Sequence, residues 1–207
     1  MRRMLSNIEL LVLGLIAATP LHGHMLERII RLTPMGRWLH VADKHVYYVL
    51  RKLEAAGYAT FDIETPPDAP TRKVYSTTPM GRAALLAEVP RTERLEATDG
   101  AGFTIVFGLL PYLPELSDAE KTGLLHVRRN ALARQRAGEY ADEAREFIRM
   151  NGGEPMLWIW EREQGRLDAE LAWLDRLTDH VERGGWQLAP PVSLDYVGGD
   201  NEGSAGS

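Results

Sequence analysis

The 207-residue chain contains no cysteine. That removes disulfides, thiolate zinc sites and a cysteine nucleophile together, and it fits a reducing compartment, so a cytoplasmic location is expected. There is also no glycine-rich phosphate loop, no nucleophile elbow and no metal-ligand signature. His22 and His24 flank Gly23, but no third ligand is placed beside them, and a turn explains the trio more simply. The acidic groups Glu161 and Glu163, and Asp142, Glu143 and Glu146, read as solvated helix faces. No catalytic residue, metal or cofactor is expected, and the chain does not read as an enzyme. Nor is any apolar run long enough for a membrane: "MRRML" followed by "IELLVLGLIAATP" mimics a signal peptide, yet Glu9 interrupts it and it is too short to span. This stretch is read as a helix, with no membrane partner.

What remains is an ordinary globular composition, 44% hydrophobic, with enough residues for one large or two small domains. The formal net charge of −5 hides a division. Residues 1–90 hold 11 Lys+Arg against 8 Asp+Glu, a balance of +3, whereas residues 91–207 hold 13 against 21, a balance of −8. A mildly basic first part beside an acidic second part points to different partners for each, because a nucleic-acid contact needs local positive charge and not a high global pI.

Ser6 and Glu9 have the spacing of a capping box, and Ile8, Leu11, Val12, Leu15 and Ile16 then recur at helical spacing. "TPLHG" (19–23) breaks the pattern and "HMLERIIRL" (24–32) resumes it, so two short helices meet at a tight turn. "TPMGRWLHVAD" (33–43) is an irregular connection ending in Asp43, a suitable N-cap. In "KHVYYVLRKLEAAGY" (44–58), Val46, Val49, Leu50 and Leu53 form one apolar stripe and Gly57 is placed to stop the helix. "YATFDI" (58–63) and "KVYSTT" (73–78) then read as strands around a Pro-rich tip, and "PMGRAALLAEV" (79–89) as a closing helix.

Three helices followed by a hairpin is the order of a winged helix-turn-helix, whose third helix lies in the DNA major groove. Lys44, His45 and Tyr48, on the first turns of that helix, are the candidates for reading base edges. Arg51 and Lys52, farther along, and Arg72 and Lys73, beside the wing tip, are candidates for phosphate contacts. Each basic side chain taken alone reads as merely solvated, and Tyr47 alone reads as a half-buried anchor for the hairpin; the order of elements is what favours DNA. The expected fold class is thus mainly α with a small β-hairpin wing, a winged helix-turn-helix domain at 1–90 preceding an α-helical domain.

"LLVLGLIAATPLHGHMLERI", "VYYVLRKLEAAGYAT" and "KVYSTTPMGRAAL" together resemble the PadR family of bacterial transcriptional regulators, over most of residues 5–88. By this resemblance Tyr47 matches the characteristic tyrosine of the recognition helix, a DNA-binding position, and Leu53, Glu54 and Gly57 match its exit. Two departures stand out: His24 replaces the tyrosine common after the Leu-His-Gly turn, and Asp43, Lys44 and His45 replace small residues common where the recognition helix begins.

The second part, residues 91–188, begins with an apolar segment broken by Pro111 and Pro114, after which Ser117 caps a stretch of helix formers over 118–150. "NGGEP" (151–155) reads as a turn. The last helix, 156–183, repeats Trp160, Leu167, Leu174 and Val181 every seven residues, with Leu157, Gln164, Leu171 and Thr178 as a second series. Such a seam needs a partner, either the long helix of the same chain or a second subunit, and the pattern does not separate them. The dimer reading places Leu157, Trp160, Leu167, Leu171, Leu174 and Val181 at the interface. It is favoured by DNA binding, since two half-sites of a palindromic operator on double-stranded DNA match a twofold dimer. The resemblance implies the same arrangement, a homodimer joined through its carboxy-terminal helices. Trp158, Trp160 and Trp173 are candidate walls of a pocket for a small aromatic effector, against the plainer reading that they are core. Residues 189–207 read as a flexible tail. The functional expectation is a homodimeric, sequence-specific repressor released by a small molecule; the alternative is a winged-helix module that binds protein.

Overall fold

The structure, a computed structural model, describes residues 3–33, 45–67, 70–138 and 141–186. Among these, the residues within Met1–Val89 and Phe107–Pro114 form one compact unit, and those within Pro90–Val106 and Glu115–Gln187 a second. The expected connection at 34–43 with its Asp43 cap, the candidate Lys44 and the tail at 189–207 lie outside the described residues.

The first unit opens with α1 (Asn7–Ala18), whose capping box is formed as expected: the Ser6 hydroxyl accepts from the Glu9 amide while the Glu9 carboxylate accepts from the Ser6 amide. Leu10, Leu11, Val12 and Leu13 are all 0–1% exposed, so α1 is buried nearly all round and forms the core of this unit. A two-residue strand β1 (Leu21–His22) follows, then α2 (Gly23–Leu32), α3 (His45–Ala55), β2 (Ala59–Glu64), β3 (Arg72–Thr77) and α4 (Pro79–Glu88). The wing is therefore larger than a hairpin. The sheet has three antiparallel strands in the order β1-β3-β2, with Leu21 opposite Tyr75 and His22 opposite Val74. Nothing in a two-residue strand distinguishes it from the turn expected there.

Gly57 takes φ 73 at the end of α3, the left-handed stop expected of it. The next turn is held from the far side of the wing, where the Thr78 hydroxyl donates to the Gly57 carbonyl at 2.6 Å and accepts from the Gly81 amide at 3.0 Å, capping α4. Residues 107–114 pack with this unit: Leu109 lies against Gly14 of α1, and Arg82 donates to the Tyr112 carbonyl at 3.0 Å.

The second unit comprises α5 (Thr92–Leu95), most of α6 (Ala101–Leu109), α7 (Asp118–Ala137), α8 (Ala141–Asn151) and α9 (Gly153–Gly184). The continuous helical stretch expected over 118–150 is broken: α7 ends at Gly138, which takes φ 41, and α8 starts at Ala141. The turn at 151–155 is shorter than expected, because α9 begins at Gly153. α7 and α9 run antiparallel, tied by Arg129–Asp175 at 2.5 Å, Arg136–Asp168 at 2.6 Å and His126–Glu182 at 3.5 Å. Leu167, Leu174 and Val181 of the seam are 3%, 0% and 6% exposed, and the matching apolar face of α7 buries Leu125 and Leu132 at 0% and 1%.

Inside this unit Arg128 is wholly buried. Its guanidinium donates to Glu170 at 2.7 and 2.9 Å and to the carbonyls of Leu95 and Ala97 at 3.1 and 2.6 Å, and it lies 5.6 Å from the Phe103 ring centroid. Four hydrogen bonds and a counter-ion offset the cost of burying the charge, and they tie the segment after α5 to both long helices. Among the described residues no helix is long and apolar enough to cross a membrane.

Candidate nucleic-acid interface

The orientation of α3 is set by its apolar stripe. Val46, Val49, Leu50 and Leu53 are 0–2% exposed, which turns His45, Tyr47, Tyr48 and Arg51 outward. His45 and Tyr48, one turn apart, hold their rings 5.8 Å apart at 36°, giving a paired edge at the start of the helix. Both can donate and accept hydrogen bonds, as base-edge reading requires.

Tyr47 has two roles in the geometry. Its ring lies directly over Gly23, the first residue of α2, where any β-carbon would collide with it. Glycine thus lets α3 dock against the amino terminus of α2. The remaining surface of Tyr47 is 41% exposed. Partial burial, and then the Glu27 carboxylate, push its hydroxyl above the ordinary tyrosine range, so it stays a neutral donor and acceptor. Anchor and contact, offered as alternatives on the sequence, are here compatible, and the anchorage includes the first residue of α2.

Lys52 has a partner within its own chain. Its ammonium pairs with Glu9, a carboxylate 3% exposed that is also bound by Arg3 at 2.8 Å. Burial pushes the Glu9 carboxyl up, but hydrogen bonds from Lys52 and from the Ser6 amide and hydroxyl outweigh it and hold the group below the ordinary range. Lys52 is a brace between α3 and α1, and its charge is taken up inside the protein.

On the wing, Arg72 donates to Glu64, its cross-strand partner, at 3.0 and 3.1 Å, with both side chains about half exposed. Lys73 places its ammonium 3.6 Å from the centroid of Phe61, whose ring neighbours Tyr75 at 5.7 Å. Both cations thus have partners on the wing itself, and an exposed ion pair such as Arg72–Glu64 exchanges partners at little cost.

On the sequence His22 is only part of a turn; in the fold it does more. Its Nδ1 accepts from the Met25 amide at 3.2 Å, capping α2, while its backbone belongs to β1. Burial first, then Arg72 and the stacked His24, press its pKa below the ordinary value against a weaker pull from Glu64. A histidine one residue before a helical pattern is a possible N-cap by position, but the shorter Ser, Thr, Asp and Asn are the usual signal.

The candidates on the last helix do not converge. Trp158 and Trp160, two residues apart, point to opposite sides of α9, and Trp173 is about 20 Å farther along the axis by the helical rise. Trp158 is 61% exposed, Trp160 packs beneath Arg145, and Trp173 meets Phe103 edge-on at 6.3 Å. Within one chain they therefore line no common pocket. Of the seam candidates, Leu167, Leu174 and Val181 are already covered by their own chain, while Leu157, Trp160 and Leu171 are part-exposed.

The chain is similar in part to several solved structures. Bacillus subtilis PadR in complex with operator DNA shares 17% identity over 84% of this chain and 98% of that one, with a TM-score of 0.40. The same protein in complex with p-coumaric acid shares 17% identity over 86% and 99%, at 0.38. The protein smu.1604c from Streptococcus mutans UA159 shares 16% over 81% and 96%, at 0.37. No curated protein matches the chain. Residues 12–87, which run from the middle of α1 into α4 and carry all the outward residues of α3 and the wing, match the transcriptional regulator PadR-like family. Over this segment the chain is similar to the PadR-like family of transcriptional regulators, as its motifs led one to expect.

Proposed function

We propose that the protein is a cytoplasmic, sequence-specific repressor that binds double-stranded DNA as a homodimer on a palindromic operator. The observation that carries this reading is the outward face of α3, where four buried apolar residues present His45, Tyr47, Tyr48 and Arg51 together. His45 and Tyr48, with Lys44 before them, read base edges; Arg51, Arg72 and Lys73 contact phosphates. Lys52 is not among the contacts, because Glu9 holds it.

Dimerisation is supported by exposed apolar surface on α8 and the start of α9, where Phe147, Met150, Trp158 and Ile159 are 67%, 70%, 61% and 52% exposed. Apolar side chains grouped in this way mark an interaction surface. The part-exposed Leu157 and Trp160 lie on the same stretch. Release by a small aromatic molecule belongs to the same proposal, and it would act by favouring a dimer whose two α3 helices no longer match successive major grooves.

The test is fluorescence anisotropy against the region upstream of the chain's own gene and against a scrambled duplex, each across a salt series. Affinity for the upstream duplex falls steeply with salt, and Arg51→Ala lowers the slope of log affinity against log salt by about one per contacted half-site. His45→Ala instead narrows the gap between the two duplexes. Equal, weak binding to both, unaltered by either change, would favour a protein-binding module.

A further inference from the structure

The second unit is acidic, and its arginines are largely neutralised where they stand. Arg129, Arg134, Arg136 and Arg149 each reach a carboxylate at 2.5–2.8 Å. Arg176 does not: among the described residues it has no ion pair. It lies on α9 one turn before His180 and two before Arg183, and these three with Gly184 line a solvent-open cavity of about 330 Å³. Leu174, Thr178 and Val181 fill the opposite, buried side of the helix, so the cationic row faces water.

The helix dipole accounts for cations in the last turn, but its effect fades within that turn. It therefore accounts for Arg183 and leaves Arg176, eight residues before the end of α9 at Gly184, unexplained. Nor does local pairing neutralise the row, since among the described residues its only carboxylate bond is Arg183 to Asp179 at 2.7 Å. Two guanidinium groups, one of them shared with Asp179, and an imidazole line the same open cavity. Planar N–H forks suit the oxygens of a tetrahedral oxyanion, because each fork can take two oxygens of one group.

We propose that Arg176, His180 and Arg183 form a binding site for a phosphate group, separate from the DNA-reading face of the first unit. Asp179 is its internal competitor. The cavity opens to solvent and so admits a phosphate carried on a larger body, either a small phosphorylated compound or the backbone of a nucleic acid.

The test follows the histidine ring resonances of the full-length protein by NMR during titration with inorganic phosphate, with chloride added to the same ionic strength in parallel. The His180 resonances move saturably with phosphate and not with chloride, while those of His126, on α7 beside Glu182, serve as the reference and stay in place. Arg176→Gln weakens phosphate binding about fivefold, and Asp179→Asn, which frees Arg183, strengthens it. Both positions are exposed, so the variants fold, and unaltered amide spectra verify this. Adding a random 30-base-pair duplex or a sugar phosphate identifies the source by which of them displaces inorganic phosphate from His180. If phosphate moves His180 no more than chloride does, or if Arg176→Gln binds phosphate like the parent, the site does not exist.

Discussion

Glu9 shows how one side chain can belong to three structures. It closes the capping box of α1, accepts from Arg3, and anchors Lys52 of α3, all while 2% exposed. Without Lys52 the buried carboxylate keeps Arg3 and the Ser6 amide but loses one of its two charged partners. Lys52→Ala is therefore expected to lower unfolding stability by about 1–3 kcal/mol, measured by urea denaturation, while leaving the salt slope of DNA binding as it was. The pH dependence has a definite sign. The folded carboxyl lies below its ordinary value of 4.5, so its contribution is complete above that value and is lost as the pH falls through the lowered folded value. In Lys52→Ala that acid loss is smaller. The sequence places Lys52 on a face of α3 away from the stripe, and a basic residue there reads as free; its partner lies 43 positions earlier, which periodicity does not reach.

Elements whose signals are local were legible. The stripe of α3, the cap of α1 and the Gly57 stop all depend on neighbours within a turn, and all are found as expected. Elements defined by partners were not. β1 exists only because Leu21 and His22 meet Tyr75 and Val74, and the split at Gly138 interrupts an otherwise unbroken run of helix formers. The seam of α9 was legible as a seam, but its companion α7 was not separable from a second subunit. The His22 cap of α2 carries its own prediction. Protonating Nδ1 removes the acceptor that the Met25 amide uses and sets a cation at the positive end of the helix, beside Arg72 and His24, with Glu64 opposing. The folded pKa is lowered from 6.5, so the stabilisation is whole above about pH 6.5 and declines as the pH falls toward the folded value. His22→Asn keeps a capping oxygen and removes this decline; thermal melts of both proteins between pH 7.5 and 5 test it.

For the whole molecule, the apolar side chains of α8 and early α9 set the expectation. Sedimentation velocity over a dilution series should show a concentration-dependent dimer, and Trp158→Glu should raise its dissociation constant at least about tenfold while the far-ultraviolet circular dichroism is unaltered. A monomer at every concentration would leave each winged helix to bind one half-site alone, with the loss of affinity that implies. The three-stranded sheet has a mechanical consequence for whichever state binds. Because β1 sits between α1 and α2 and is hydrogen-bonded to β3, the turn before α2 and the wing are stitched into one piece, and Tyr47 seats α3 on the first residue of α2. Reading helix and wing then behave as a stiff jig with little freedom to spread or close. An operator whose groove is too wide or too narrow must itself bend to fit, and base steps that the protein never touches would be selected for their pliability.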